Sequence, residues 1–96
     1  AQQRTMASQI IFNQRIHDVE LFEEVATAIR NQLANLNKKS SDTLQEEVAW
    51  HAKALATSGN MEYMPLLDEL SKSTAKKVAK YAKWSVNLLA ESANIR

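Results

Sequence analysis

The chain has 96 residues, of which 45% are apolar and 24% charged, and its 12 Lys and Arg against 11 Asp and Glu give a formal net charge of +1. This length predicts a single domain, and the near-zero net charge gives little general attraction to nucleic acid or anionic lipid. The lack of cysteine excludes disulfides, thiolate zinc sites and thiol nucleophiles. The sequence also has no apolar run that approaches the roughly 18 residues of a membrane-spanning helix.

An all-α fold is predicted, because one Gly and one Pro in the whole chain leave almost no residues for the turns of a β-sheet. Turn signals occur at 37–41 and at 58–60, and Gly59 and Pro65 suit the end of one helix and the first turn of the next. The sequence therefore predicts one domain over 1–96, an antiparallel bundle of two long helices and one short one. The three predicted helices cover about 5–36, 42–58 and 62–94.

The predicted helices differ in length. The two long ones have about 32 residues each, or about 50 Å at roughly 1.5 Å per residue, whereas the middle one is about half as long. Both long helices would then extend past the middle helix, and both extensions carry large apolar side chains. Dimerisation would cover these ends and complete a bundle of four or more helices, with coiled-coil packing. The predicted interface residues are Ile10, Phe12, Ile16, Tyr81, Trp84, Leu88, Leu89 and Ile95.

Two other arrangements would also cover the apolar ends. The chain could be part of a longer protein whose helices continue beyond them, for example a receptor. Alternatively, the hydroxyl side chains at 71–74, which compete for backbone hydrogen bonds, could break the third helix. The second half of that helix would then fold back and give a compact four-helix monomer.

Residues that could carry catalysis or bind a metal are few. The serines lack a Gly-x-Ser-x-Gly setting and one Gly cannot build a phosphate-binding loop, so no enzymatic activity is predicted. Carboxylate and imidazole groups could form a metal site in a bundle core, but their order differs from the Glu-x-x-His pairs of di-iron bundles. We therefore expect neither a metal nor a cofactor. The weak metal candidates are His17, Glu20, Glu24, Glu47 and His51.

Opposite charges cluster on the first and third predicted helices. In a dimer the two faces could pair and set the register, although each exposed pair contributes only about 0 to 1 kcal/mol. The near-neutral total charge disfavours nucleic acid as a partner of the lysines, and an anionic membrane surface is the alternative. The acidic face comprises Asp18, Glu20, Glu23 and Glu24, and the basic face comprises Lys72, Lys76, Lys80 and Lys83.

Together these features predict a non-enzymatic interaction or assembly module whose partner is a second copy or another helical protein. Alanine at Trp84 and at Leu88 is expected to cost about 2 kcal/mol or more of binding at such an interface. One alternative is a sensor or regulatory bundle with a ligand pocket lined by Arg4, Arg15 or Arg30, and another is the metal-binding bundle. The sequence does not determine the location, and it is compatible with a cytoplasmic chain and with an exported or periplasmic one.

Overall fold

Five α-helices form the described part of the chain, which in this computed structural model comprises residues 2–14, 18–37 and 39–94. Two short 3-10 turns, Leu33–Asn35 and Met61–Tyr63, follow the second helix and precede the fourth. The predicted all-α class is confirmed, since these residues contain no strand. The helices are α1 (Gln2–Gln14), α2 (Val19–Gln32), α3 (Asp42–Ala56), α4 (Met64–Ser71) and α5 (Lys76–Asn94).

The predicted helix over 5–36 is interrupted before α2, and Asp18 is the N-cap of that helix. The Asp18 backbone is extended (φ −129°, ψ 113°), and its carboxylate accepts hydrogen bonds from the backbone N–H groups of Glu20, at 2.9 Å, and Leu21, at 3.4 Å. These N–H groups need such an acceptor because the first turn of a helix offers them none. The prediction of one uninterrupted helix is therefore wrong, and this cap is the physical reason.

The predicted helix over 62–94 is divided as well, at its hydroxyl cluster. At the end of α4 the Lys72 N–H turns back to the carbonyl oxygen of Glu69, at 3.1 Å. The Ser73 hydroxyl then accepts a hydrogen bond from the Ala75 N–H, at 3.1 Å, just before α5 begins. A single long third helix is therefore wrong, and the break lies where the sequence allowed one.

The middle helix, α3, lies where the sequence predicts it. Ser41 caps its start by accepting a hydrogen bond from the Leu44 N–H, at 3.2 Å. Beyond its end, Gly59 adopts a positive φ of 68°, a conformation that side chains with a Cβ disfavour. This helix is central to the fold, because α1, α2 and α5 all pack against it, while α4 packs against α5.

Apolar side chains from all five helices share one core around α3. The predicted overhanging ends contribute to it, since Ile11 of α1 and Leu89 of α5 are both buried. The chain measures 39 × 25 × 19 Å, whereas an unbroken helix of 32 residues would be about 50 Å long. The predicted overhang is therefore wrong, because both long helices are divided, with α1, α2 and α5 packed against α3 and α4 packed against α5. None of the described helices is long and apolar enough to cross a membrane.

Candidate functional site

Four of the chain's aromatic side chains surround one lysine on the partly exposed face of α3. The Lys53 Nζ lies 4.3 Å from the ring centroids of both Trp50 and Tyr81, 5.7 Å from that of Trp84 and 5.8 Å from that of Phe12. All four distances are within the roughly 6 Å over which an ammonium group is attracted to an aromatic ring. We refer to these four rings as the aromatic cage.

Three helices supply the cage. Trp50 and Lys53 are three residues apart on α3, as are Tyr81 and Trp84 on α5, so each pair lies on one face of its helix. The fourth ring, Phe12 from α1, packs edge-on against Trp50 at a centroid distance of 5.8 Å and against Trp84 at 5.7 Å. Trp84 is 44% exposed and the other members are half-buried, so the cage opens to solvent.

A surface depression of about 240 Å³ borders the cage. It is smaller than the roughly 300 to 1,000 Å³ of pockets for drug-sized ligands, so it suits a small chemical group. Its exposed charged side chains are one carboxylate, Glu46, and one ammonium, Lys77. The lining residues are Glu46, Ala49, Trp50, Lys53, Lys77 and Tyr81.

A second constellation, a chain of polar side chains, lies in the interior. The His51 Nδ1 is 2.5 Å from the Ser8 Oγ, and its Nε2 is 3.4 Å from the Glu47 Oε2. The Gln32 side-chain amide donates a hydrogen bond to the same Glu47 oxygen. Ser8 and Glu47 have no exposed surface and His51 is 2% exposed, so these hydrogen bonds form where water is excluded.

Serine, histidine and glutamate are also the residue types of a hydrolase triad. A nucleophile must reach its substrate, however, and the hydroxyl of Ser8 has no exposed surface. With Gln32 of α2 included, the polar chain draws on α1, α2 and α3, so its hydrogen bonds connect three helices. The geometry of the polar chain therefore fits a role in holding these helices together.

Of the four metal candidates within the described residues, two are brought together and two are not. Glu47 and His51 are neighbours in the polar chain, whereas Glu20 and Glu24 are exposed on α2. His17 lies outside the described residues. Within the residues that the structure describes, no three His, Asp or Glu side chains converge as metal ligands would.

The predicted interface residues fall into four groups. The exposed ones, at 44% each, are Ile10 and Trp84. The half-buried ones are Phe12, Tyr81 and Leu88. Leu89 is fully buried within the chain's own core. Those outside the described residues are Ile16 and Ile95.

The predicted acidic and basic faces are exposed but do not pair with each other within the chain. Across the described residues, no ion pair joins Asp18, Glu20, Glu23 or Glu24 to Lys72, Lys76, Lys80 or Lys83. Lys72 pairs instead with Asp68 of its own helical turn, at 3.2 Å. Glu23 accepts a hydrogen bond from the Tyr63 hydroxyl, at 2.7 Å. Burial, and next this hydrogen bond, raise the pKa of Tyr63 to about 12.

An open groove of about 630 Å³ runs beside α4 and contains Arg30, one of the three arginines proposed for a ligand pocket. Arg15 lies outside the described residues, and the side chain of Arg4 is not described. The groove is open to solvent and mixes cations, carboxylates and apolar side chains. Its lining residues are Arg30, Leu33, Glu62, Pro65, Leu66, Asp68, Glu69 and Lys72.

The sequence analysis did not single out Lys53, nor Ser8 and Gln32 of the polar chain. One signal for Lys53 was present in the sequence, because it is three residues from Trp50, and Tyr81 and Trp84 have the same spacing on another helix.

No protein-family model matches the chain, and neither a curated protein nor a solved structure matches it significantly.

Proposed function

We propose that the chain is a non-enzymatic helical module that self-associates through the exposed surface formed by α1 and α5. The observation that carries this proposal is the set of large apolar side chains left in water on these two helices. Met6 is 55% exposed, and Ile10 and Trp84 are each 44% exposed. Exposed apolar surface of this kind is typical of contact sites between proteins.

These side chains lie on two helices that touch each other. Met6 and Ile10 are four residues apart on α1, so they lie on the same face of that helix. Trp84 of α5 touches α1 through the ring of Phe12, at a centroid distance of 5.7 Å. Tryptophan is also among the residue types enriched at the centres of protein interfaces. Phe12 lies on a different face of α1 from Met6 and Ile10, so a second copy would bury Met6 and Ile10 at one part of the contact and Trp84 at another.

Charge favours a second copy as that partner. The exposed lysines of α5, Lys76, Lys80 and Lys83, have no acidic partner within the described chain, and Glu20 and Glu24 are exposed on α2. A second copy offers the complementary charge to each set. Such exposed pairs contribute only about 0 to 1 kcal/mol each, so they select orientation while apolar contacts supply affinity.

Sedimentation equilibrium over a range of concentrations tests the proposal. The native chain should increase in mass with concentration, and Met6→Glu combined with Ile10→Glu should raise the dissociation constant by at least about tenfold, because each buried carboxylate would be unpaired. Met61→Glu is the matched control, since Met61 is 48% exposed but lies in the turn before α4. It should leave the dissociation constant unchanged.

Two results would overturn the proposal of self-association through α1 and α5. One is a monomer mass for the native chain up to high micromolar concentration. The other is equal weakening by the α1 variants and the Met61 control, which would locate the contact elsewhere or indicate general destabilisation. Thermal unfolding of each variant monitors whether it is folded.

A further inference from the structure

The aromatic cage has the composition of a site for an organic cation. We propose that it binds a methylated ammonium group, and that the Lys53 side chain occupies the site in the unliganded chain. The four rings approach a single ammonium nitrogen, at 4.3 Å for Trp50 and Tyr81 and at 5.7 to 5.8 Å for Trp84 and Phe12. This inference does not depend on self-association.

The surroundings of the cage favour a small cation. The adjoining depression of about 240 Å³ has room for a headgroup, and the Glu46 carboxylate on its rim offers a counter-charge. Lys77 on the same rim opposes a cation, but it is exposed and can turn towards solvent. Cages of aromatic rings are a known solution for quaternary ammonium groups, which fill the space between rings and lose little hydration.

Lys53 gives the site a built-in competitor. Its primary ammonium is compact and strongly hydrated, on a flexible four-carbon stem that is only half-buried. A trimethylammonium group is larger and less hydrated, so it should make closer contact with the rings once Lys53 has moved out to water. The native chain is therefore expected to bind such cations weakly, and loss of the lysine side chain is expected to strengthen binding.

Intrinsic fluorescence gives a direct readout, because the chain's two tryptophans are both in the cage. The probes are choline and its uncharged analogue of the same shape, 3,3-dimethylbutan-1-ol. Choline should change the fluorescence saturably, and the alcohol should bind at least about fivefold more weakly, since it lacks the charge that the rings attract. This comparison uses the native chain and needs no variant.

Two variants test the role of Lys53. Lys53→Ala should tighten choline binding by about tenfold, since the competitor is gone. Lys80→Ala is the matched control, because the Lys80 Nζ lies 5.5 Å from the Tyr81 ring but is not over the other three rings. It should leave choline affinity unchanged. Circular dichroism checks that both variants remain helical.

A peptide with one trimethyllysine distinguishes two sources of the ligand. Binding of the peptide at least about tenfold tighter than choline would assign the site to a protein side chain, and equal affinity would assign it to a free small cation; both outcomes support the proposal. The proposal is overturned if neither choline nor the peptide changes the fluorescence saturably in Lys53→Ala. It is equally overturned if choline and the uncharged alcohol bind with the same affinity.

Discussion

Replacing Asp18 with alanine is expected to destabilise the chain by about 1 kcal/mol. The Asp18 carboxylate accepts hydrogen bonds from the backbone N–H groups of Glu20, at 2.9 Å, and Leu21, at 3.4 Å, and only the first is of ordinary length. Alanine at an N-cap costs about 0.5 to 2 kcal/mol, and a lost negative charge at a helix N-terminus costs about 0.3 to 1 kcal/mol. Because Asp18 is exposed and makes only one hydrogen bond of ordinary length, we expect the total loss of stability to be near the middle of these ranges.

Urea unfolding followed by circular dichroism measures this change, and a loss of 1 kcal/mol corresponds to a decrease in Tm of about 4 to 8 °C. Asp18→Asn is the control, because asparagine is an equally good N-cap and removes only the charge, so it should cost a few tenths of a kcal/mol. An uninterrupted helix through Asp18 would give the opposite sign, since alanine is the best helix former. A stabilised Asp18→Ala variant with more helical signal would therefore refute the assignment of the cap.

Three further changes test the core, a buried tyrosine and a surface ion pair. Leu67→Ala should cost about 2 to 5 kcal/mol in urea unfolding, because Leu67 is fully buried and would leave a cavity. Burial and the hydrogen bond to Glu23 raise the pKa of Tyr63 from 10.0 to about 12, so the folded chain keeps a proton that the unfolded chain loses. The free energy of unfolding should therefore fall as the pH rises from about 10 towards 12. In the Tyr63→Phe variant it should fall less steeply over this range, as measured by thermal unfolding. Lys72→Ala should change stability by less than about 0.5 kcal/mol, because its pair with Asp68 is solvent-exposed, and a larger change in the unfolding midpoint would contradict this.

Local signals predicted the parts of the fold that depend on single residues with strong preferences. Ser41 caps the start of α3 as the sequence predicts, and Gly59 adopts its positive φ three residues after Ala56, the last residue of that helix. The hydroxyls at 71–74 marked a possible break that the structure contains. Asp18 was harder to interpret, because an aspartate inside a helix costs well under 1 kcal/mol and no Gly or Pro stands beside it. Local signals alone therefore did not distinguish a cap from a helix interior, and in the structure the Asp18 carboxylate caps α2.

The aromatic cage could be predicted only in part. Helical periodicity indicates that Tyr81 and Trp84 share a face of α5, and it does the same for Trp50 and Lys53 on α3. It contains no information on the angle at which two helices pack, and the cage exists only where those two faces meet Phe12 of α1. The same limit explains why nothing in the sequence singles out Lys53, since lysines on partly exposed faces are usually solvated.

The buried polar chain gives a physical reason why α1 packs in the position that completes the cage. Apolar contacts alone tolerate small displacements of one helix along another, whereas the 2.5 Å contact between Ser8 and His51 does not, because a buried polar group without its partner is costly. Ser8 and Phe12 are four residues apart on one face of α1, and His51 follows Trp50 directly on α3. The contact that pairs Ser8 with His51 therefore also sets Phe12 against Trp50. We infer that the interior polar groups fix the register of α1 against α3. The position of the aromatic cage at the surface therefore depends on hydrogen bonds inside the core.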